Sequence, residues 1–355
     1  DCRQGARGSK NDPVDLQTAV KFVAPGGNIY LNDGQYHGIT LDRELSGIPG
    51  KYKTISAINP HKAIFINKTF NLDASYWHLK SVVFDGNVDN GNNKPAYLRI
   101  AGSYNIIEHV IARNNDDTGI SISAKDKNRV FWPAHNLVLN SDSYNNLDLS
   151  GINADGFAAK LGVGPGNIFR GCIAHNNADD GWDLFNKIED GPNASVTIEN
   201  SVAYENGLPY NKADILKGSI GNGFKLGGEG QPVNHKVINS IAINNNMDGF
   251  TDNFNTGSLI VRNNIAMNNA RYNYILRTNP YKFPSSILFD NNYSIRDDWE
   301  NKIKDFLGDT VNSVNYKLLV SHETGPVQKD LFFTRDDSGN IIYPDFFLNI
   351  INKFN

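Results

Sequence analysis

At 355 residues, 39% hydrophobic, 20% charged and 11% aromatic, the chain has the makeup of a globular protein, which excludes wholesale disorder. A net charge of −4 lacks the basic excess of a nucleic-acid binder. No run approaches the ~18 apolar residues of a membrane-spanning helix, and two cysteines, Cys2 and Cys172, rule out a disulfide scaffold or a Cys-based zinc site while leaving one pairing open.

In chain order, the polar opening Asp1-Cys2-Arg3 carries no leader pattern, as expected of a processed, mature form. Pro13 to Val23 is predicted as an amphipathic helix capped by Asp15 or Asp12, with Leu16, Ala19, Val20 and Val23 on its apolar face. Strand patterns follow over Asn28–Tyr36, Thr54–Ile66 and Tyr76–Phe84. From about residue 100 a seven-residue motif recurs every 24 to 39 residues: His109 to Asn115, Asn140 to Asn146, Gly171 to Asn177, Asn200 to Asn206, Asn239 to Asn245 and Asn263 to Asn269. Its fourth place is always small, and Asn dominates the sixth and seventh. Each copy follows a short alternating run, such as Lys236-Val237-Ile238, and each coil carries a second motif, Asp155-Gly156-Phe157, Asp180-Gly181-Trp182, Asn222-Gly223-Phe224 or Asp248-Gly249-Phe250.

Three short strands per repeat, separated by Asn- and Gly-rich turns, predict an all-β fold, a right-handed parallel β-helix over residues 1–355 as a single domain, clearest at 100–295. The N-terminal helix is expected to cap the first coil, and 296–355 to pack as an irregular segment on the solenoid. Ile111, Ile173, Val202, Ile241 and Ile265 are expected to fill the interior, and the Asn residues to form hydrogen-bonded ladders.

Stacking turns this repeat into a prediction about chemistry. Aligned on the glycines, Asp155, Asp180, Asn222 and Asp248 share a column, and three places on the next column reads Ala158, Asp183, Lys225, Thr251. Coils ~4.8 Å apart then set Asp183 beside Lys225 and gather Asp155, Asp179, Asp180 and Asp183 on one face. Four carboxylates so close need neutralising, and an all-oxygen set suits Ca²⁺. Lys225 lies in Gly221-Asn222-Gly223-Phe224-Lys225-Leu226-Gly227-Gly228, where the glycines are expected to leave open space, and a lysine beside a bound cation loses its proton more readily and can act as a general base. The structural alternatives are turn-capping aspartates and a simple Asp183–Lys225 salt bridge.

These stretches, with Gly164-Pro165-Gly166-Asn167, Asp179-Asp180-Gly181-Trp182-Asp183-Leu184-Phe185 and Ile198-Glu199-Asn200-Ser201, resemble the pectate lyases of polysaccharide lyase family 9 from about residue 100 to 275. The resemblance implies a Ca²⁺ held by Asp155, Asp179, Asp180 and Asp183, a catalytic Lys225, and β-elimination on an acidic plant cell-wall polysaccharide, a pectate or rhamnogalacturonan backbone. A secreted, periplasmic or cell-surface monomer is expected, and the charge and hydropathy above predict neither a nucleic-acid nor a membrane partner. Lys160, Lys187, Lys217, Arg271 and Arg277 are candidate partners for substrate carboxylates, and Tyr210 and Tyr272 candidate sugar platforms. A β-helical glycoside hydrolase would instead need a pair of acids and no metal, and a carbohydrate-binding solenoid would need the ladders but not Lys225.

Overall fold

The computed structural model describes residues 7–86, 95–210, 219–277, 282–297, 305–320 and 333–353. Each repeat contributes one strand to each of three parallel sheets, two of 11 strands and one of 10, ordered so that every third strand pairs. One coil reads Asn167–Arg170 in the first sheet, Ile173–His175 in the second and Trp182–Asp183 in the third.

The repeat motif explains these corners. Its sixth place is left-handed, with φ of 56°, 53° and 51° at Asn114, Asn145 and Asn176, a region where Asn is favoured among residues with a side chain. The seventh place turns inward. Asn115, Asn146, Asn177, Asn206, Asn245 and Asn269 are all fully buried, and the side-chain amide of each of the first five donates to the next Oδ1 along the stack at 2.8–3.0 Å. From Asn146 to Asn269 each Oδ1 also accepts the backbone N–H of the preceding coil's Asn, so the ladder satisfies main chain that the sheets leave unpaired.

Inside, the aromatics of the second motif stack face to face: Phe157 on Trp182, Trp182 on Phe224, Phe224 on Phe250 and Phe250 on Tyr274, with ring centroids 4.7–5.0 Å apart. The apolar face of the first sheet (Ile107, Val138, Phe169, Ile198, Val237, Val261, Phe289) closes on this column.

The interior column expected in the second sheet is displaced by one residue. Its inward side chains are the small fourth-place residues Ala112, Ala174, Ala203, Ala242 and Ala266, which belong to the main core. Ile173, Val202, Ile241 and Ile265 face outward, and Ile111 is only half-buried. Side chains alternate along a strand, so a one-place shift moves the whole set to the other face. The outward residues are nevertheless buried because the C-terminal segment covers them. Phe333, Phe347 and Ile350 pack on this face, and Arg335 ties the segment down through Asp142 and the carbonyls of Ser141 and Gly171.

The ends differ from expectation in one respect. The helix Leu16–Phe22 is capped by Asp15, which accepts the Thr18 N–H at 2.9 Å, and its Leu16, Ala19, Val20 and Val23 lie against the core. Residues past 296, expected to be irregular, add one further coil: Phe306–Leu307, Val311–Val314 and Lys317–Val320 pair in parallel with the three preceding strands. An antiparallel pair, Thr334–Arg335 with Ile341–Ile342, and the helix Asp345–Ile351 follow.

Candidate active site

The third sheet builds the site. The register pairs Phe157 with Trp182 and Trp182 with Phe224, and therefore Ala158 with Asp183 and Asp183 with Lys225. Glycine is required in each copy because the backbone runs against the Asn ladder. A Cβ at Gly156 would lie 2.8 Å from both Ala174 Cβ and Asn177 Nδ2. The aromatic after it points into the core, which turns the next residue, Asp183 or Lys225, outward.

Asp155, Asp179 and Asp180 are buried, and each offers an oxygen within 4.8 Å of the other two. Asp155 Oδ2 accepts the Thr118 hydroxyl at 3.0 Å. Asp180 Oδ1 accepts both the backbone and side-chain N–H of Asn222, at 2.8 and 2.7 Å. Asp183 stands apart from the trio, its Oδ1 accepting the Phe185 N–H at 2.9 Å. Two ammonium groups enter the nest. Lys225 Nζ lies 3.1 Å from Asp180 Oδ2 and 3.5 Å from Asp183 Oδ1, and Lys160 Nζ lies 2.7 Å from both Asp155 Oδ2 and Asp183 Oδ2.

Electrostatics follow from four acids facing two cations. Burial, then the neighbouring carboxylates, push Asp179 up to about 10. Burial pushes Asp155 up to about 7 against the pull of Lys160, and raises Asp180 despite Lys225. Asp183 is also buried, but Lys160 and Lys225 together hold it below the usual carboxylate range. Burial disfavours the Lys225 ammonium, yet Asp180, Asp183, Asp155 and Asp179 outweigh it and raise the amine well above its ordinary value. Asp179 Oδ1 is buried with no hydrogen-bond partner among the described residues. An unpartnered buried carboxylate oxygen inside an all-oxygen set fits a hard divalent cation.

The other candidate residues separate. Lys160, read as a groove residue, sits in the acid nest. Arg277 is buried and spends its guanidinium on the Asn255 and Gly257 carbonyls, which removes it as a substrate partner. Arg271 grips Asp248, one coil beyond Asn222 in the same column, and stands 5.6 Å from the Tyr272 ring. Lys187 is half-exposed, 3.9 Å from Glu189. Tyr210 lies against His175 and Tyr144 on the second sheet, away from the nest. Lys217 and Cys2 lie outside the described residues, and Cys172 is buried in the core.

The glycines beside Lys225 give close packing, in contrast to the open space expected. A Cβ at Gly228 would lie 2.3 Å from the Phe185 ring, and one at Gly227 2.5 Å from Asn255 Cβ. Phe185 in turn lies 5.6 Å from Lys225 Nζ and walls one side of the amine. Three residues of the site went unread in the sequence: Thr118, Asn222 as the donor to Asp180, and Phe185. Thr118 carried a signal, because Thr118-Gly119-Ile120 is the preceding copy of Asp155-Gly156-Phe157 and pairs with it.

Fold and site together define a parallel β-helix protein with a buried carboxylate nest and a lysine on its third sheet. The chain belongs to the Pel9A-like right-handed β-helix family, whose model matches residues 1–292. It is 42% identical over 330 residues to the pectate disaccharide-lyase of Dickeya chrysanthemi, covering 92% of this chain and 40% of that protein. It is 40% identical over 294 residues to pectate lyase L of Paenibacillus polymyxa (strain SC2), covering 79% and 64%. The chain thus spans less than two thirds of the length of these relatives. Among solved structures, pectate lyase Pel9A superposes with a TM-score of 0.71 at 28% identity, over 97% of this chain and 86% of that one. A rhamnogalacturonan lyase superposes with a TM-score of 0.79 at 22% identity, over 100% and 96%, a likeness of fold.

Proposed function

We propose that residues 1–355 form one catalytic domain, a Ca²⁺-dependent lyase that cleaves a uronate-containing pectic polymer, polygalacturonate or a rhamnogalacturonan backbone, by β-elimination. The observation that carries this reading is the pairing of Asp183 with Lys225, which sets an amine at the lip of a buried carboxylate nest with an oxygen to spare. The relatives named pectate lyase support the substrate class. A cell-wall polymer is met outside the cytoplasm, which supports a secreted, periplasmic or cell-surface location, with the monomer as the proposed working form.

Asp155, Asp179, Asp180 and Asp183 would hold the cation. Ca²⁺, when bound, would draw charge from the substrate's carboxylate and so make the neighbouring C5–H more acidic. Lys225 is the general base. Its amine takes the C5 proton, the C5–H electrons form the C4=C5 double bond, and the C4–O bond breaks to release the glycosidic oxygen, which is then protonated. The base must be neutral. Facing Asp180, Asp183, Asp155 and Asp179, Lys225 is held as an ammonium. Once their charge is engaged elsewhere, burial against Phe185 acts alone and favours the free amine. Lys187 and Arg271 are the remaining described candidates for pairing with carboxylates along the polymer, Arg271 sharing its guanidinium with Asp248.

Incubation with polygalacturonate and with rhamnogalacturonan, with and without a chelator, tests the reading. The expected product absorbs in the ultraviolet through its conjugated double bond and is lost on chelation. Reducing ends released without that absorbance would point to hydrolysis and refute it.

A further inference from the structure

The elimination proposed above assigns Lys160 no step, yet Lys160 is bound more closely into the nest than Lys225. It lies one residue beyond the strand Phe157–Ala159, with its backbone N–H donated to Ile122 O at 3.2 Å. Its ammonium spans two coils, 2.7 Å from Asp155 Oδ2 on its own coil and 2.7 Å from Asp183 Oδ2 on the next. Those carboxylates are 0% and 4% exposed, whereas the Lys160 side chain is 21% exposed and so reaches solvent along one edge. Asp183, the acid held by both lysines, is also the one that falls outside the trio whose oxygens converge.

A cation bridging two buried carboxylates on adjacent coils does the electrostatic work of a metal, with one charge in place of two and on a tether. We propose that Lys160 is the resident counter-ion of the nest: its ammonium holds Asp155 and Asp183 together while no divalent ion is present, and is exchanged for that ion on binding. This rests on the reading of the nest as a divalent-cation site. It goes beyond that reading by giving Lys160 a competing role, in which it keeps the acid cluster folded without metal and weakens the affinity for metal. The physical basis is that like charges compete for the same oxygens. The tethered ammonium loses little freedom on binding, whereas a free ion is concentration-dependent.

Lys160→Met keeps most of the length of the side chain and removes its charge. Thermal midpoints in chelator and in saturating calcium chloride, together with calorimetric calcium titration, distinguish the role from simple packing. The expected result is a lower midpoint in chelator, little loss in calcium, and calcium binding tenfold or more tighter than wild type, with Lys160→Arg close to wild type. An equal loss in both conditions, or calcium affinity unchanged or weaker, overturns the proposal. A second measurement needs no variant. Acylation of lysines in the wild-type protein, read by mass spectrometry, should modify Lys160 slowly in chelator and faster in calcium, and equal rates overturn the exchange. Wild-type protein that takes up no calcium refutes the underlying reading as well, whereas uptake unaffected by Lys160→Met refutes only the exchange.

Discussion

Without calcium, the acid nest should make the protein less stable as the pH rises. Asp155 moves from an ordinary 3.8 up to about 7, and Asp179 from 3.8 up to about 10. A carboxyl with a raised value binds its proton better in the fold than in the unfolded chain, so the stability it lends at low pH drains away as the pH climbs through the folded value. Each pH unit over which the fold retains a proton that the unfolded chain has released costs about 1.4 kcal/mol. For Asp155 alone this amounts to roughly 3 kcal/mol between about pH 5 and about pH 9, and for Asp179 roughly 5 kcal/mol. The two do not add, because a proton on either acid relieves its neighbour. Asp183 works the other way, being lowered, and its contribution is lost only below the ordinary carboxylate range, outside this window. For a chain of this size about 3–5 kcal/mol corresponds to a fall in Tm of several degrees. Melting in chelator across this pH range measures it, with Asp179→Asn, which cannot ionise, as the control expected to flatten the slope. Calcium at about a hundredfold its Kd should add about 2.7 kcal/mol and offset the loss at high pH. A slope in chelator from pH 5 to 9 no steeper in wild type than in Asp179→Asn refutes the reasoning, the comparison cancelling the buried His175 and His235, whose lowered values act in the opposite sense below about 6.5.

Lys225→Ala should lower the elimination rate by on the order of 10²–10⁴ while calcium binding persists, and the wild-type rate should climb from pH 6 into the alkaline range, as a base that works unprotonated demands. A rate flat to pH 10 or a variant retaining a tenth of wild-type activity counts against the role. Asn206→Ala removes bonds to Ala174 O and Asn245 Oδ1 and the acceptor of the Asn177 amide, and should cost about 2–5 kcal/mol in urea unfolding; less than about 1 kcal/mol would mean the ladder is not cooperative. Ala242→Leu drives a larger side chain into the closed interior and should destabilise by about 1–3 kcal/mol in urea unfolding; no loss would mean that the position is not closed.

The acid nest was legible because a solenoid converts repeat spacing into contact. Asp183 and Lys225 are far apart in the chain, but each stands two places after a glycine that the ladder requires, so aligning the glycines is equivalent to measuring the distance. The outward Ile column was misread for the opposite reason. In the three-residue strands of the second sheet only the middle side chain turns inward, and in most coils it is the small alanine. The isoleucines beside it are buried by Phe333, Phe347 and Ile350, residues whose arrival is settled by contacts such as Arg335 to Asp142, 193 positions apart. Nothing local to Ile241 encodes that cover.

Arg277 and Lys160 illustrate the same limit for charge. In the sequence both are basic residues near the motif and equally plausible in a groove. Their destinations depend on which oxygens the turn exposes: for Arg277, the backbone carbonyls of Asn255 and Gly257, and for Lys160, carboxylates on two successive coils. A repeat fixes the register of strand residues because each is hydrogen-bonded to its counterpart above and below. Lys160 stands just past a strand end, so its backbone continues the ladder while its side chain is free to seek the strongest local potential. At that point on the solenoid this is the unneutralised edge of the nest, and so the turn residue, which the repeat does not place, is drawn to the site that the repeat creates.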